Sequence, residues 1–105
     1  MIPAHFAFVP PGGGEANYSI DVEIPGMPSI GDYVKVTHPD EGGTRDFIVR
    51  RLHWGFIQDD GKAAFDRLTV ECEYSQSYTS SERHKKMCKV WDDAGTLQKF
   101  DDSAF

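Results

Sequence analysis

Apolar and polar residues alternate with a period of two through most of the first three quarters of the chain. In residues 18–24, Tyr, Ile, Val and Ile are separated by Ser, Asp and Glu, and similar alternations occupy residues 5–8, 33–38 and 67–74. Successive side chains of a strand point to opposite faces of a sheet. Each segment is therefore predicted to be a strand with one apolar and one polar face.

Segment 45–57 departs from this simple alternation, because its apolar side chains fall at both odd and even positions. In a regular strand Phe47 and Val49 would point one way, whereas Ile48, Trp54 and Phe56 would point the other. We therefore expect a bend or bulge near residues 50–51 or at residue 55. Long bent strands of this kind are typical of small barrels.

The predicted strands are joined by segments rich in Gly, Pro and Asp. Residues 10–14, Pro-Pro-Gly-Gly-Gly, can return the chain antiparallel into the strand at 18–24, and residues 24–32 form a turn-rich connection. Residues 40–44 are predicted to be a hairpin loop. The clearest turn is Asp59-Asp60-Gly61-Lys62, because an Asp-Gly pair supplies the positive φ angles that a tight hairpin needs.

The composition changes after residue 75, where a polar connection precedes a predicted helix over about residues 81–94. Ser80 or Ser81 can cap this helix, which begins near Glu82, and Gly95 is a suitable stop. The spacing predicts that the helix packs on the barrel through its apolar stripe, Met87, Val90, Trp91 and Ala94. The tail, residues 96–105, is expected either to dock on the barrel or to fray.

These patterns predict a mainly β fold, a small antiparallel barrel or strongly bent sheet of five to six strands with a short C-terminal helix. A length of 105 residues suits a single domain. We expect residues 1–75 to form the barrel and residues 76–105 to form the polar linker, the helix and the tail.

Charge and hydropathy narrow the classes of partner. The chain has 11 Lys and Arg against 17 Asp and Glu, a formal net charge of −6, which disfavours binding to nucleic acid or to an anionic membrane. Residues 1–75 hold six basic and twelve acidic residues, so the barrel carries the whole excess. We expect a cytoplasmic protein, because the sequence contains neither a membrane-spanning stretch nor a signal-peptide pattern.

No motif for catalysis, metal binding or cofactor binding is present, so we expect no enzyme activity, no metal and no cofactor. The cysteines, Cys72 and Cys88, lack the paired spacing of a zinc site, and the four histidines share no ligand spacing. Cys72 is predicted to be a buried thiol, since it shares the apolar face of its strand. Cys88 lies among basic residues, which could lower the pKa of a thiol, but no base or oxyanion hole accompanies it.

The run from Pro28 to Val36 reads Pro-Ser-Ile-Gly-Asp-Tyr-Val-Lys-Val, and an aromatic-bearing strand follows it from Phe47 to Trp54. These two segments resemble small SH3-like barrel proteins of bacteria and their phages, many of them uncharacterised. The resemblance covers roughly residues 17–75 and implies a barrel fold. It implies no function, because unrelated activities share this fold.

The sequence therefore predicts a non-enzymatic binding module, an accessory or regulatory protein that acts through protein contacts. The alternative is a nucleic-acid-binding barrel that uses Arg50, Arg51 and Trp54, although Glu71 and Glu73 could instead pair with the arginines. Self-association is a further expectation, if an outer apolar face of Phe47, Val49 and Ile57 is covered by a second copy. The candidate binding residues lie on or beside the long strand: Arg50, Arg51, His53, Trp54, Phe56 and Arg67.

Overall fold

The computed structural model describes residues 1–101, in which five strands and one helix follow the order predicted from the sequence, and a sixth, two-residue strand lies in the segment predicted to be the tail. Residues 102–105 lie outside the described range. The elements are β1 (Ile2–Val9), β2 (Tyr18–Ile24), β3 (Tyr33–His38), β4 (Gly43–Asp59), β5 (Lys62–Gln76), α1 (Glu82–Asp93) and β6 (Gln98–Lys99).

The strands form one curled sheet, a half-barrel with the strand order β2-β1-β5-β4-β3. Neighbours joined by hairpins are antiparallel, whereas β1 runs parallel to β5, and the two-residue β6 also runs parallel to β5. The predicted fold class, a mainly β barrel or bent sheet of five to six strands with one short helix, is confirmed.

Two β-bulges interrupt the pairing of β4 with β5, between Val49 and Arg51 and between Gly55 and Phe56, so both of the places offered as alternatives by the mixed pattern of the long strand carry one. The first bulge inserts Arg50 as an extra residue of β4. The bulge reverses the alternation, so that Phe47 and Val49 lie on the same face as Trp54 and Phe56, not on opposite faces as in a regular strand.

The core lies on the concave face of the sheet and is rich in aromatic side chains. Phe8 and Phe47 pack with a ring-centroid distance of 4.1 Å, and Tyr74 completes the group at 5.0 Å from Phe47. Phe47 is 0% exposed and Val49 is 1% exposed. The expectation that these two residues form an outer face for a second copy is therefore wrong. The buried apolar residues are Ala4, Phe6, Phe8, Val9, Phe47, Val49, Leu68, Val70, Cys72, Tyr74, Cys88 and Phe100.

The helix begins and ends where the sequence predicts. The Ser81 hydroxyl accepts a hydrogen bond from the backbone N–H of His84 at 3.1 Å, and Gly95 follows the helix with φ +75°. The predicted buried stripe is partly wrong, because Val90 is 65% exposed while His84 and Cys88 are fully buried. The apolar pattern predicted that Val90 faces the core, because valine is more hydrophobic than histidine or cysteine. The structure instead buries His84 and Cys88, whose side chains both contact the Ser75 carbonyl oxygen.

The tail docks on the sheet as far as the structure describes it. Beyond β6, Phe100 is buried and stacks on Tyr33 with a centroid distance of 4.0 Å, and the Tyr33 hydroxyl accepts the backbone N–H of Asp101 at 2.8 Å. Phe105, also assigned to the tail, lies outside the described residues. No helix in residues 1–101 has the length and apolar character needed to cross a membrane.

Candidate functional site

The hairpin of β4 and β5 projects beyond the rest of the sheet. β3 pairs with β4 only as far as Ile48, and β1 pairs with β5 only from Leu68 onward. Residues 54–67, hereafter the arm, are therefore two strands beside which residues 1–101 place no third strand. The molecule is correspondingly elongated, with principal extents of 51 × 27 × 27 Å.

The arm ends in a tight turn, in which Asp60 has φ +49° and Gly61 has φ +75°. Two consecutive positive φ angles define the hairpin geometry that the Asp-Gly pair predicted. A second glycine, Gly55, lies beside the second bulge, where a Cβ atom would be 3.0 Å from the Arg67 carbonyl oxygen. The close approach of the two backbones at this bulge therefore favours glycine.

Three aromatic side chains form an exposed stripe on one face of the arm. The ring of Phe65 lies 6.1 Å from those of Trp54 and Phe56, in edge-to-face contact with both. Trp54 is 55% exposed, Phe56 62% and Phe65 41%. Trp54 pairs in register with the buried Leu68, so the stripe continues the core face of the sheet into solvent.

No charged side chain of the arm lies within the aromatic stripe. Asp59 and Asp60 are at the tip, Lys62 pairs in register with Asp59, and Arg67 is opposite Gly55. The carboxylate of Asp66 also lies on the Gly55 side, 3.9 Å from where a Cβ on Gly55 would be. Arg67 approaches Asp21 of β2 at 3.7 Å across an exposed surface. The aromatic stripe is therefore uncharged, with the charges of the arm at its tip and on its opposite face, which favours a partner surface of matching apolar character.

The six sequence-predicted site residues divide into three groups. Trp54 and Phe56 lie together on the aromatic face. Arg51, His53 and Arg67 lie on the opposite face of the sheet, since their in-register partners Glu71, Thr69 and Gly55 alternate with the core residues of β4 and β5.

Arg50, the third group, is held by acidic side chains of β5. Its guanidinium donates to Glu71 at 2.6 Å and lies 3.9 Å from Glu73. The loop after β1 also crosses it, so that a Cβ on Gly13 would collide with the guanidinium group. The structure thus brings the two aromatic residues together and separates them from the arginines.

Phe65 belongs to the aromatic stripe but was missed in the sequence reading. The signal was available, because counting back equally from both sides of the Asp60-Gly61 turn pairs Phe65 with Phe56. The segment 62–66 carries no alternation of apolar and polar residues, so the pattern predicted a strand only over the following residues, 67–74.

Apart from the aromatic stripe, the described residues contain a buried polar cluster where β3, β4 and the linker to the helix meet. The carboxylate of Asp46, 0% exposed, accepts hydrogen bonds from Thr44 at 2.9 Å, from Ser77 at 3.0 Å and from Ser80. The ammonium group of Lys35 lies 3.3 Å from the same carboxylate. These bonds satisfy a buried charge and tie the linker to the sheet.

His84 and Cys88 are adjacent on the helix and face the same cluster. The thiol sulfur lies 3.5 Å from imidazole Nε2, which is 2.7 Å from the Ser75 carbonyl oxygen. Burial, together with the negative charge of the nearby Asp46 carboxylate, raises the pKa of Cys88 to about 12. The side chains are 0% exposed, so this thiol is neither ionised at neutral pH nor reachable by a substrate.

The second thiol, that of Cys72, is also buried. Burial raises the pKa of Cys72 to about 12, as expected of a core thiol. Within residues 1–101, no group of three or more His, Cys, Asp or Glu side chains is arranged to hold a metal ion.

No protein-family model matches the chain, and no match is found among curated proteins or among solved structures. The resemblance to SH3-like barrels therefore stays a prediction.

Proposed function

We propose that this chain is a non-enzymatic binding module that contacts a protein partner through the aromatic face of its arm. One observation carries the proposal: Trp54, Phe56 and Phe65 are 55%, 62% and 41% exposed on a hairpin that has no third strand. Leaving such rings in water forfeits the free energy of burial, and aromatic residues are enriched where proteins meet.

The chemistry of the arm describes the surface that it would fit. The stripe carries no charge, so a matching partner offers an apolar patch or groove and no buried counter-ion. A two-stranded hairpin is only marginally stable by itself, and contact with a partner would supply the packing that a third strand otherwise gives. An accessory or regulatory role agrees with this arrangement. A cytoplasmic location, also part of the proposal, is supported by two cysteines that remain free thiols.

The non-enzymatic part of the proposal is supported by the burial of the reactive groups. The only Cys–His pair in residues 1–101, Cys88 with His84, lies in the core with both side chains 0% exposed. Nucleophilic catalysis requires an accessible thiolate, which the raised pKa of Cys88 opposes.

The alternative, a nucleic-acid-binding barrel using Arg50, Arg51 and Trp54, has weaker support. Single-strand sites combine cations and stacking rings on one platform. Here Arg50 is paired with Glu71, and Arg51 lies on the face opposite Trp54. The acidic excess of residues 1–75 would oppose a phosphate backbone further.

Photo-crosslinking in the native cell tests the proposed function. A photoreactive amino acid at position 56 is expected to give a discrete protein adduct, because this side chain would face the partner. The matched control is position 90 on the helix, where Val90 is 65% exposed but lies outside the arm. An adduct with RNA or DNA at position 56 would support the alternative, and equal adducts at both positions would contradict both proposals.

A further inference from the structure

The outer edge of β4 is free along the whole arm. Asp32 and Gly31 form backbone hydrogen bonds of 2.9 and 2.8 Å with Val49, and they are the last groups to meet this edge. From residue 51 to residue 59, β4 pairs with β5 on one side and with no other strand of residues 1–101 on the other. A row of backbone N–H and C=O groups is thus open to a further strand.

The other free edges carry features that discourage strand pairing. Asp21 and Glu23 are exposed on β2, β3 is only six residues long, and the free part of β5 holds Lys62 and a bulge at Asp66. The segment 51–59 of β4 contains no proline, no lysine and no extra bulge residue. It is therefore the edge least protected against association.

We propose that a second copy of the chain pairs with this edge, antiparallel and two-fold symmetric about Gly55. The two arms then form a four-stranded sheet. In this register Arg51 lies directly opposite Asp59 of the second copy, and Trp54 lies opposite Phe56 of the second copy. Two-fold symmetry makes each of these pairs twice. Opposite charges and paired aromatic rings are the cross-strand combinations that stabilise antiparallel sheets.

Charge selects this occupant and this register. Arg51 and Asp59 lie in register opposite Glu71 and Lys62 of β5, but neither forms an ion pair within the described residues, since Glu71 binds Arg50. The two-fold pairing about Gly55 gives each of them a second oppositely charged neighbour, across the free edge of β4. Moving the axis by one residue places Arg51 opposite Gly61 or Ile57 instead, and this second charge pair is lost.

The inference goes beyond the proposed function, because it uses the backbone edge of the arm and not its aromatic face. Both could act together, since edge pairing would join two aromatic stripes into one wider apolar surface. Each of the two proposals can be contradicted without contradicting the other. A chain that stays monomeric would overturn the edge pairing, while crosslinking at position 56 would still decide the protein-binding role.

Sedimentation velocity on the full chain, from about 1 to about 300 µM, tests the pairing. The range extends to high concentration because a contact limited to residues 51–59 of two copies is small and gives a weak dimer. The wild type is expected to shift from monomer to dimer as its concentration rises. Arg51→Glu and Asp59→Lys should each weaken the dimer about tenfold by creating like-charge pairs. The double variant should restore it, whereas Arg83→Glu, an exposed charge on the helix, should change nothing.

Disulfide trapping tests the register. Residue 53 is opposite residue 57 of the second copy, so the double variant His53→Cys with Ile57→Cys should form a covalent dimer on mild oxidation. Within one copy the two positions are about 13 Å apart, too far for an internal disulfide. Cys72 and Cys88 are 0% exposed and cannot compete. Each single variant serves as a control and should remain largely monomeric.

Two results would overturn the inference. One is a wild type that stays monomeric throughout the concentration range. The other is a dimer that neither charge variant weakens and that the paired cysteines do not trap, since such a dimer would use another surface. Restoration by the double charge variant cannot arise from misfolding, because both single substitutions are present in it.

Discussion

β4 and β5 pass through two environments that differ in what flanks them. At the helix end, Phe47 and Tyr74 are opposite each other in register and both are 0% exposed. In the arm, Phe56 and Phe65 are opposite each other in the same way and are 62% and 41% exposed. The local pairing of aromatic residues is alike in the two regions.

The difference arises from the neighbouring elements. At the helix end β3, β1 and the helix surround the two strands, and His84 packs edge-on against Phe47 at 5.5 Å. Beyond Ile48 and Leu68 these neighbours stop, but the apolar face continues. Alternation along a strand therefore defines a face, and only the surrounding elements determine whether that face is buried.

Truncating matched phenylalanines should give the largest contrast between the regions. Phe47→Ala is expected to lower the free energy of unfolding by about 3–5 kcal/mol, because it leaves a cavity among packed rings. Phe56→Ala should cost less than about 1 kcal/mol, since its ring is already mostly in water. Urea unfolding followed by circular dichroism measures both. Equal losses would show that the arm is as tightly packed as the core.

Carboxylates offer a second matched pair, with a smaller expected effect. Asp46→Asn should cost about 3 kcal/mol, because the amide cannot replace a buried carboxylate that accepts several hydrogen bonds and faces Lys35. Asp66→Asn, at the exposed bulge of the arm, should stay within about 0.5 kcal/mol of the wild type. The same urea titrations compare them, and a neutral Asp46→Asn would mean that the cluster does not stabilise the fold.

The smallest contrast is in how stability depends on pH, and it compares the buried His84 with the exposed His53. Burial lowers the pKa of His84 below its ordinary 6.5, and hydrogen bonding at Ser75 and the Asp46 carboxylate only partly oppose this. A proton on Nδ1, which has no partner in the structure, would place an unpaired N–H in the core. The folded state therefore resists protonation more than the unfolded state does.

Full stability is thus expected above about pH 6.5, and stability should fall as the pH drops from there toward the lowered pKa of His84. The loss is at most about 1.4 kcal/mol per pH unit for one proton. His84→Gln should flatten this dependence between about pH 7.5 and 5.5, whereas His53→Gln in the exposed strand should preserve it. Glu41, whose pKa the Arg45 hydrogen bond lowers to about 2 from 4.5, titrates below this window. A dependence unchanged in His84→Gln would contradict the assignment.

Local signals predicted the strands β1 to β5, the turns, and a bend or bulge near residues 50–51 or at residue 55; bulges occur at both places. The Asp60-Gly61 turn sets the register of the arm, and with it the pairing of Phe56 with Phe65. The mixed pattern around Arg50 predicted a bulge because a regular strand could not bury both sets of apolar residues. These features depend on neighbours a few residues apart, which a pattern in the chain records directly.

Contacts between distant segments were harder to predict. Val90 was expected inside and His84 was not included in the predicted buried stripe, because hydrophobicity alone does not show that an imidazole will meet the Ser75 carbonyl at 2.7 Å. The candidate site shows the same division. Trp54 and Phe56 were identified correctly as neighbours, but their separation from Arg50 and Arg51 follows from the bulge and from the acidic residues of β5.

The sequence by itself determined a mainly β chain with a tight-turned hairpin and a capped helix, because backbone conformation and side-chain alternation are local properties. Only the tertiary structure decided that the same apolar face is core at Phe47 and solvent-exposed at Phe56. Burial depends on where β1, β3 and the helix end in space, and those limits are set by contacts between segments far apart in the chain.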